Sequence, residues 1–143
     1  MTMAGEPRAE HFPHGADVGV RGIGPTIESA FEQAAIALIA CVTEPGNVRA
    51  VHLVDIECDA PNVNLLLFDW LNRLIYEMAL RRMLFARFAV TIEDCRLRGR
   101  AWGEPVDPAR HAPAVEPKGA TLTALEVARQ ADGAWIAQCV IDV

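Results

Sequence analysis

Apolar residues recur along this chain with two different periods, and the switches between them mark out the elements. Ile27, Ala30, Phe31, Ala34, Ala35 and Leu38 return every three or four positions, which predicts an amphipathic helix running to about Val42. "GPTIES" gives it a start, with Thr26 as N-cap and Glu28 in the first turn, where a negative charge meets the positive end of the helix dipole. "APNVNLLLFDWLNRLIYEMALRRM", residues 60–83, predicts a second helix. Asn62 is its N-cap, and Leu67, Trp70, Leu71, Leu74, Ile75 and Met78 are its packed face. Asp69 with Arg73, and Glu77 with Arg81, stand in the favourable i,i+4 order on the other side.

Elsewhere the period is two. Strands are expected at 15–24, 48–58, 84–93, 96–102, 119–129 and 134–143. The alternation slips at Leu53-Val54, which reads as a β-bulge. Asp132-Gly133 is a two-residue hairpin signal. That turn sets Thr123 opposite Asp142 and Leu125 opposite Val140. "GEPVDPARHAPAVEPKG", residues 103–119, reads as a long exposed loop. The expected architecture is an α+β fold, a single two-layer domain over residues 1–143 with two helices packed on a largely antiparallel sheet and residues 1–10 flexible.

Composition narrows the function classes. The chain has 143 residues and is 52% hydrophobic, enough for one substantial core. Its longest nearly unbroken apolar run, "AAIALIACV", is too short to span a bilayer. "MTMAGEPRAEHF" lacks the basic start and apolar stretch of a secretory signal, so a cytoplasmic location and no membrane partner are expected. Cys41, Cys58, Cys95 and Cys139 are widely separated and read as reduced, packed thiols rather than a zinc site. The net charge of −6 is uneven: residues 73–100 hold 7 arginines against 3 acids, on an otherwise acidic body. Such a balance argues against binding nucleic acid by charge alone.

Two aspartates sit where strands tolerate them poorly. Asp17 interrupts "FPHGADVGVR", and Asp142 ends the apolar "WIAQCVIDV". Taken alone, Asp17 also fits a turn cap and Asp142 a solvated strand end. Together with a carboxylate or carbonyl oxygen of Val143 they form an oxygen-only set, which suits a hard cation and not zinc. His14 is placed to assist from nearby. Arg96, Arg98 and Arg100 alternate along one strand and share a face, an anion-contacting stripe or a solvated one. Their strand's other face holds Leu97, Gly99 and Ala101, small enough at Gly99 and Ala101 for close packing. His111 has no marked Ser or Cys nucleophile beside it, and "RGIGPT" lacks the lysine and spacing of a phosphate loop.

The chain resembles the archease family. "FPHGADVGVRGIGPTIESAFEQAAIAL" is similar to the family's opening segment, "LLLFDWLNRLIYEM" to its second helix, "WGEPVDPARH" to its central loop, "EPKGATLTAL" to its lysine-bearing strand and "QCVIDV" to its Asp-ending terminus. Asn62 and Asn64 stand where the family usually has acids, Pro117 where valine is expected and Leu122 where tyrosine is expected. The resemblance implies a non-catalytic accessory protein of the GTP-dependent RNA ligase that joins 3′-phosphate or 2′,3′-cyclic-phosphate ends to 5′-hydroxyl ends. The family promotes ligase guanylylation and multiple turnover in tRNA splicing and RNA repair. The resemblance also implies a divalent metal, Ca²⁺ first, with Mg²⁺ and Mn²⁺ as alternatives, on Asp17, Asp142 and Val143. Lys118, His14, Arg96, Arg98 and Arg100 are then candidates for supporting or partner contacts, and RNA is reached only indirectly. The other readings are a metal-dependent phosphoester hydrolase at the same carboxylates, and an RNA-binding or chaperone-like module.

Overall fold

The computed structural model describes residues 6–143. Its elements in chain order are β1 (Arg8–His14), β2 (Asp17–Gly24), α1 (Ile27–Val42), β3 (His52–Asp59), α2 (Val63–Arg81), β4 (Met83–Glu93), β5 (Arg96–Pro105), a single turn α3 (Pro108–His111), β6 (Gly119–Ala120), β7 (Glu126–Arg129) and β8 (Trp135–Asp142). The fold is α+β, but the expected sheet is two antiparallel sheets. One runs β1-β2-β8-β6 with β7 also on β8, and the other runs β3-β5-β4. The helices pack on both: α1 lies against β2 and β4, and α2 against β3, β4 and β6.

Both long helices begin as the sequence predicts. The Thr26 hydroxyl accepts from the Ser29 N–H, and Asn62 accepts from the Leu65 N–H, each such cap stabilising by about 1 kcal/mol. Glu77 pairs with Arg81 at 2.6 Å across one helical turn. Trp70 is fully buried, its indole N–H donating to the Phe31 carbonyl at 3.1 Å and its ring set edge-on to Phe88. The ring rests directly on Gly99, where any Cβ would strike it. The sequence's small residues on β5 are thus a seat for the tryptophan.

Several strand expectations need correction. Of the residues 1–10 expected to be flexible, 1–5 lie outside the described residues, and Arg8, Ala9 and Glu10 are strand. β3 pairs with β5 without a register break from His52 to Asp59. The apparent slip at Leu53 arises because Leu53 faces solvent (48% exposed) opposite Trp102. The bulge lies instead in β4, between Phe85 and Arg87. It turns Arg87 outward while Met83, Leu84 and Phe85 stay buried.

The expected strand 119–129 is two pieces. The turn before β8 has three residues rather than two, with Gly133 at φ 90 and the Gln130 N–H bonded to the Ala134 carbonyl. That moves the register by one, so Val127 faces Ala137. Residues 121–125 then loop out. The Thr121 hydroxyl donates to the Val140 carbonyl and accepts from the Thr123 N–H. The loop absorbs further residues, and Asp142 pairs with Gly119, not Thr123. The four cysteines are free. Burial pushes the Cys139 thiol up to about 12 and Cys41 and Cys58 up to about 11.

Candidate metal centre

Asp17 owes its place to a tight hairpin. Gly15 and Ala16 join β1 to β2 as a two-residue loop, with His14 paired to Asp17. Gly15 takes φ 60, a left-handed conformation that glycine adopts without strain. β2 then pairs with β8 as far as Val18 opposite Ile141. The ladder ends there, and Asp17 and Asp142 are the next residue on each strand. The two aspartates from opposite ends of the sequence therefore meet at the same end of neighbouring strands.

Alternation decides which way they point. Ala137, Cys139 and Ile141 of β8 are fully buried, so Asp142 and Gln138 belong to the outer face, with Asp17 and Arg21 of β2. Asp142 is exposed and Asp17 half-buried. The main chain beside them is already bonded, the Lys118 N–H donating to the Asp142 carbonyl at 2.8 Å. Lys118 itself is exposed. Neither carboxylate has an ion pair among the described residues. The nearest cation of the same face, Arg21, is four residues along β2, ~13 Å at strand rise. It is committed elsewhere, to Gln138 at 2.8 Å and Glu10 at 2.9 Å. Phe12 fills the row between, its ring over Gly19 and 4.7 Å from the Arg21 guanidinium.

The oxygens available at this strand end are those of the two carboxylates and of Val143, which follows Asp142 directly. Among the described residues no three His, Cys, Asp or Glu side chains gather closely enough to hold a metal by themselves. His14, although opposite Asp17, does not complete such a cluster. The residues present fit a hard cation that takes its remaining oxygens from main chain and water.

The arginine stripe is present but not uniformly basic. Arg96, Arg98 and Arg100 share the outer face of the second sheet, where each stands opposite an acid of β3: Asp59, Glu57 and Asp55. The Arg98–Glu57 pair is loose, at 3.7 Å with both side chains highly exposed. The alternating acids of β3 were visible in the sequence, but their register against the arginines was not.

One polar cluster escaped sequence reasoning. Glu104 is almost fully buried and takes two bonds from Arg110 (2.7 and 2.8 Å), one from the Arg49 N–H (2.7 Å) and one from His111 (3.0 Å). The Arg110 guanidinium, helped by those other donors, holds the Glu104 carboxyl well below the usual carboxylate range. The Asp107 N–H donates to His111 Nδ1 at 2.8 Å, which makes that nitrogen an acceptor and leaves the proton on Nε2, facing Glu104. Both ring nitrogens of His111 are therefore engaged, leaving no free site for base catalysis. The cluster pins the stretch after β5 to the segment after α1, where Arg110 also bonds the Asn47 carbonyl.

Fold and site together define a small α+β protein with a carboxylate pair on the open face of a sheet. The profile of the Archease protein family (MTH1598/TM1083) matches residues 10–143, and the chain belongs to this family. It is 37% identical to the protein archease of Pyrococcus furiosus over 138 residues, 94% of this chain and 97% of that one. With the protein archease of Methanopyrus kandleri it shares 35% identity, covering 94% and 98% of the two chains. The solution structure of Methanobacterium thermoautotrophicum protein 1598 superposes with a TM-score of 0.81 at 29% identity, covering 94% of this chain and 98% of that one.

Proposed function

We propose that this protein is an accessory factor of an RNA ligase and binds a divalent cation through Asp17, Asp142 and an oxygen of Val143, with Ca²⁺ as the first candidate. The observation that carries the reading is the convergence of Asp17 and Asp142 at one end of β2 and β8, on the outer face and with no ion pair among the described residues. Both belong to segments that resemble the family's motifs. Two like charges facing each other across a ladder are unfavourable unless something neutralises them.

A bound cation would supply that neutralisation and tie the ends of the two strands together. The chain's own residues do the rest. The Lys118 N–H fixes the backbone of Asp142, and the Phe12 ring with Glu10 and Gln138 keeps the Arg21 guanidinium out of the site. His14 and Lys118 flank the pair and are positioned to contact a partner protein.

The test is RNA ligation with the cognate ligase at limiting concentration, using 3′-phosphate and 5′-hydroxyl ends with GTP. The protein is expected to convert a single turnover into many. Asp17→Ala and Asp142→Ala are expected to abolish that stimulation while keeping the native circular dichroism spectrum. Full stimulation by the double variant overturns the proposal. Phosphoester hydrolysis by the isolated protein with Mg²⁺ or Mn²⁺ would favour the hydrolase reading instead.

A further inference from the structure

The sheet edges of this fold are treated unequally. At β4 the outward N–H of Val90 donates to Glu32 of α1 at 2.9 Å. Asn72 of α2 takes the Ala120 N–H of β6 at 2.9 Å and gives a bond to its carbonyl at 3.3 Å. Asn64 takes the Val127 N–H of β7 at 2.8 Å. β1 carries Pro13, which has no N–H to offer. Three edges are thus blocked by a side chain from a helix and one is interrupted by proline.

β3 is different. The β4–β5 hairpin closes through Asp94 and Cys95, both at positive φ, with Glu93 paired to Arg96. Glu93 and Arg96 are therefore the bonded pair that closes a two-residue turn. Parity then directs the N–H and C=O groups of Leu97, Gly99 and Ala101 to β3, where Cys58, Ile56 and Val54 receive them. The Ala60 N–H bond to the Cys95 carbonyl continues the same set. Leu53, Asp55, Glu57 and Asp59 consequently turn their N–H and C=O groups away from the sheet. Among the described residues no side chain caps them.

Beside this open edge runs a groove lined by Glu57, Cys58, Asp59, Asp69, Arg73 and Tyr76, the last 54% exposed on α2. A free strand edge facing a helix is the geometry into which an extended peptide adds as a further strand. The side chains choose the occupant. Asp55, Glu57 and Asp59 stand on one face of the edge, and among the described residues their cross-strand neighbours are the arginines of β5, of which Arg98 engages Glu57 loosely. A second copy of this chain would set those acids against their own kind.

We propose that the β3 edge is a docking site for an extended, basic segment of a protein partner, bound by strand addition. Alternate Lys or Arg side chains of that segment lie against Asp55, Glu57 and Asp59, and the intervening apolar or aromatic side chains face Tyr76 and Cys58. The inference needs no cation and stands apart from the metal-site reading. Its position does bear on it: Asn72 lines the groove and holds Ala120, whose neighbour Gly119 pairs with Asp142. A partner seated on β3 therefore lies beside the Asp17–Asp142 end of the other sheet.

The test uses the full chain in chelator and a synthetic nonapeptide of alternating Lys and Val with a central Tyr. Amide hydrogen exchange read by NMR is expected to slow at least tenfold at Asp55, Glu57 and Asp59 when this peptide is added. Replacing its lysines by Glu, or methylating the amide nitrogens on its bonding side, is expected to abolish the protection. Asp55→Asn with Glu57→Gln is expected to weaken binding about twofold to thirtyfold, the loss of two cross-strand ion pairs. Glu57→Pro is compared with Glu57→Gln, which lacks the same charge, and is expected to bind the peptide more weakly because proline also removes one outward N–H. Absence of protection on β3 up to millimolar peptide overturns the proposal, as does protection indifferent to amide methylation. So does binding of oligouridylate to Arg96, Arg98 and Arg100 in place of the peptide, or a stable dimer through β3.

Discussion

Replacing Asp142 by Asn should change stability in opposite directions with and without a cation. Continuing the register one step beyond its last pair, Val18–Ile141, sets Asp142 opposite Asp17. Like charges so placed oppose folding by about 0.2–1 kcal/mol. In chelator, Asp142→Asn removes that repulsion without opening a cavity, because the side chain is exposed. The variant should therefore melt up to about 4 °C above the wild type, given about 2–4 °C per kcal/mol for a chain of this size. With cation at a hundredfold excess over its Kd, the wild type gains about 2.7 kcal/mol by mass action. The variant has lost a charged ligand and gains little, so the order of melting temperatures inverts. The assay is thermal unfolding followed by circular dichroism, in chelator and in millimolar Ca²⁺, Mg²⁺ and Mn²⁺. Added salt should shrink the difference seen in chelator. The reasoning is refuted if the variant melts below the wild type in chelator and no cation raises the wild type. Asp17→Asn should repeat the pattern.

Gly99→Ala should destabilise by about 1–3 kcal/mol, because its Cβ strikes the Trp70 ring; urea unfolding of the Gly99→Ala/Trp70→Phe double variant should show the two effects to be less than additive, and additivity within about 0.5 kcal/mol would refute the contact. Glu104 has its carboxyl lowered from the ordinary 4.5, so its contribution is full above that value and is lost as pH falls below it; the urea midpoint should drop on acidification, and Glu104→Gln should be less stable at neutral pH with a flatter acid limb. Cys95 holds φ 58 in the second turn position, where glycine is unstrained; Cys95→Gly should stabilise by about 0.5–1 kcal/mol in the same assay, the relief of strain being partly offset by backbone entropy.

How far the sequence could be read depends on which interactions set each feature. The helices were legible because caps and stripes are local: Thr26 and Asn62 sit where the sequence puts them. Asn62 and Asn64, departures from the family's usual acids, have their own local reasons, as a helix cap and as the acceptor for the β7 edge. Asp17 and Asp142 were legible as residues out of place, because an aspartate in an apolar strand stands out without any partner in view. Their meeting was not, since it depends on β2 and β8 being neighbours. β1 was missed because "RAEHFPH" has a proline and little apolar contrast, and it owes its order to Phe12 over Gly19 and His11 bonded to the Ala37 carbonyl. The β7–β8 register failed by one residue because a three-residue loop replaced the two-residue turn. The Glu104 cluster left no trace, since its parts lie in three segments and none is unusual where it stands.

The position of β8 in its sheet has a consequence for how the molecule comes into being. It is the final element of the order, yet it lies between β2 and β6, with β2 drawn from the first strands made. While the chain is still being synthesised, β2 can pair only with β1, and α1 has half a sheet to cover. The larger sheet closes after residues 135–142 emerge, through contacts of long sequence separation that form slowly. A nascent or clipped chain lacking those residues cannot set Asp17 beside Asp142. The carboxylate pair is therefore assembled only once β8 has been made and has docked beside β2.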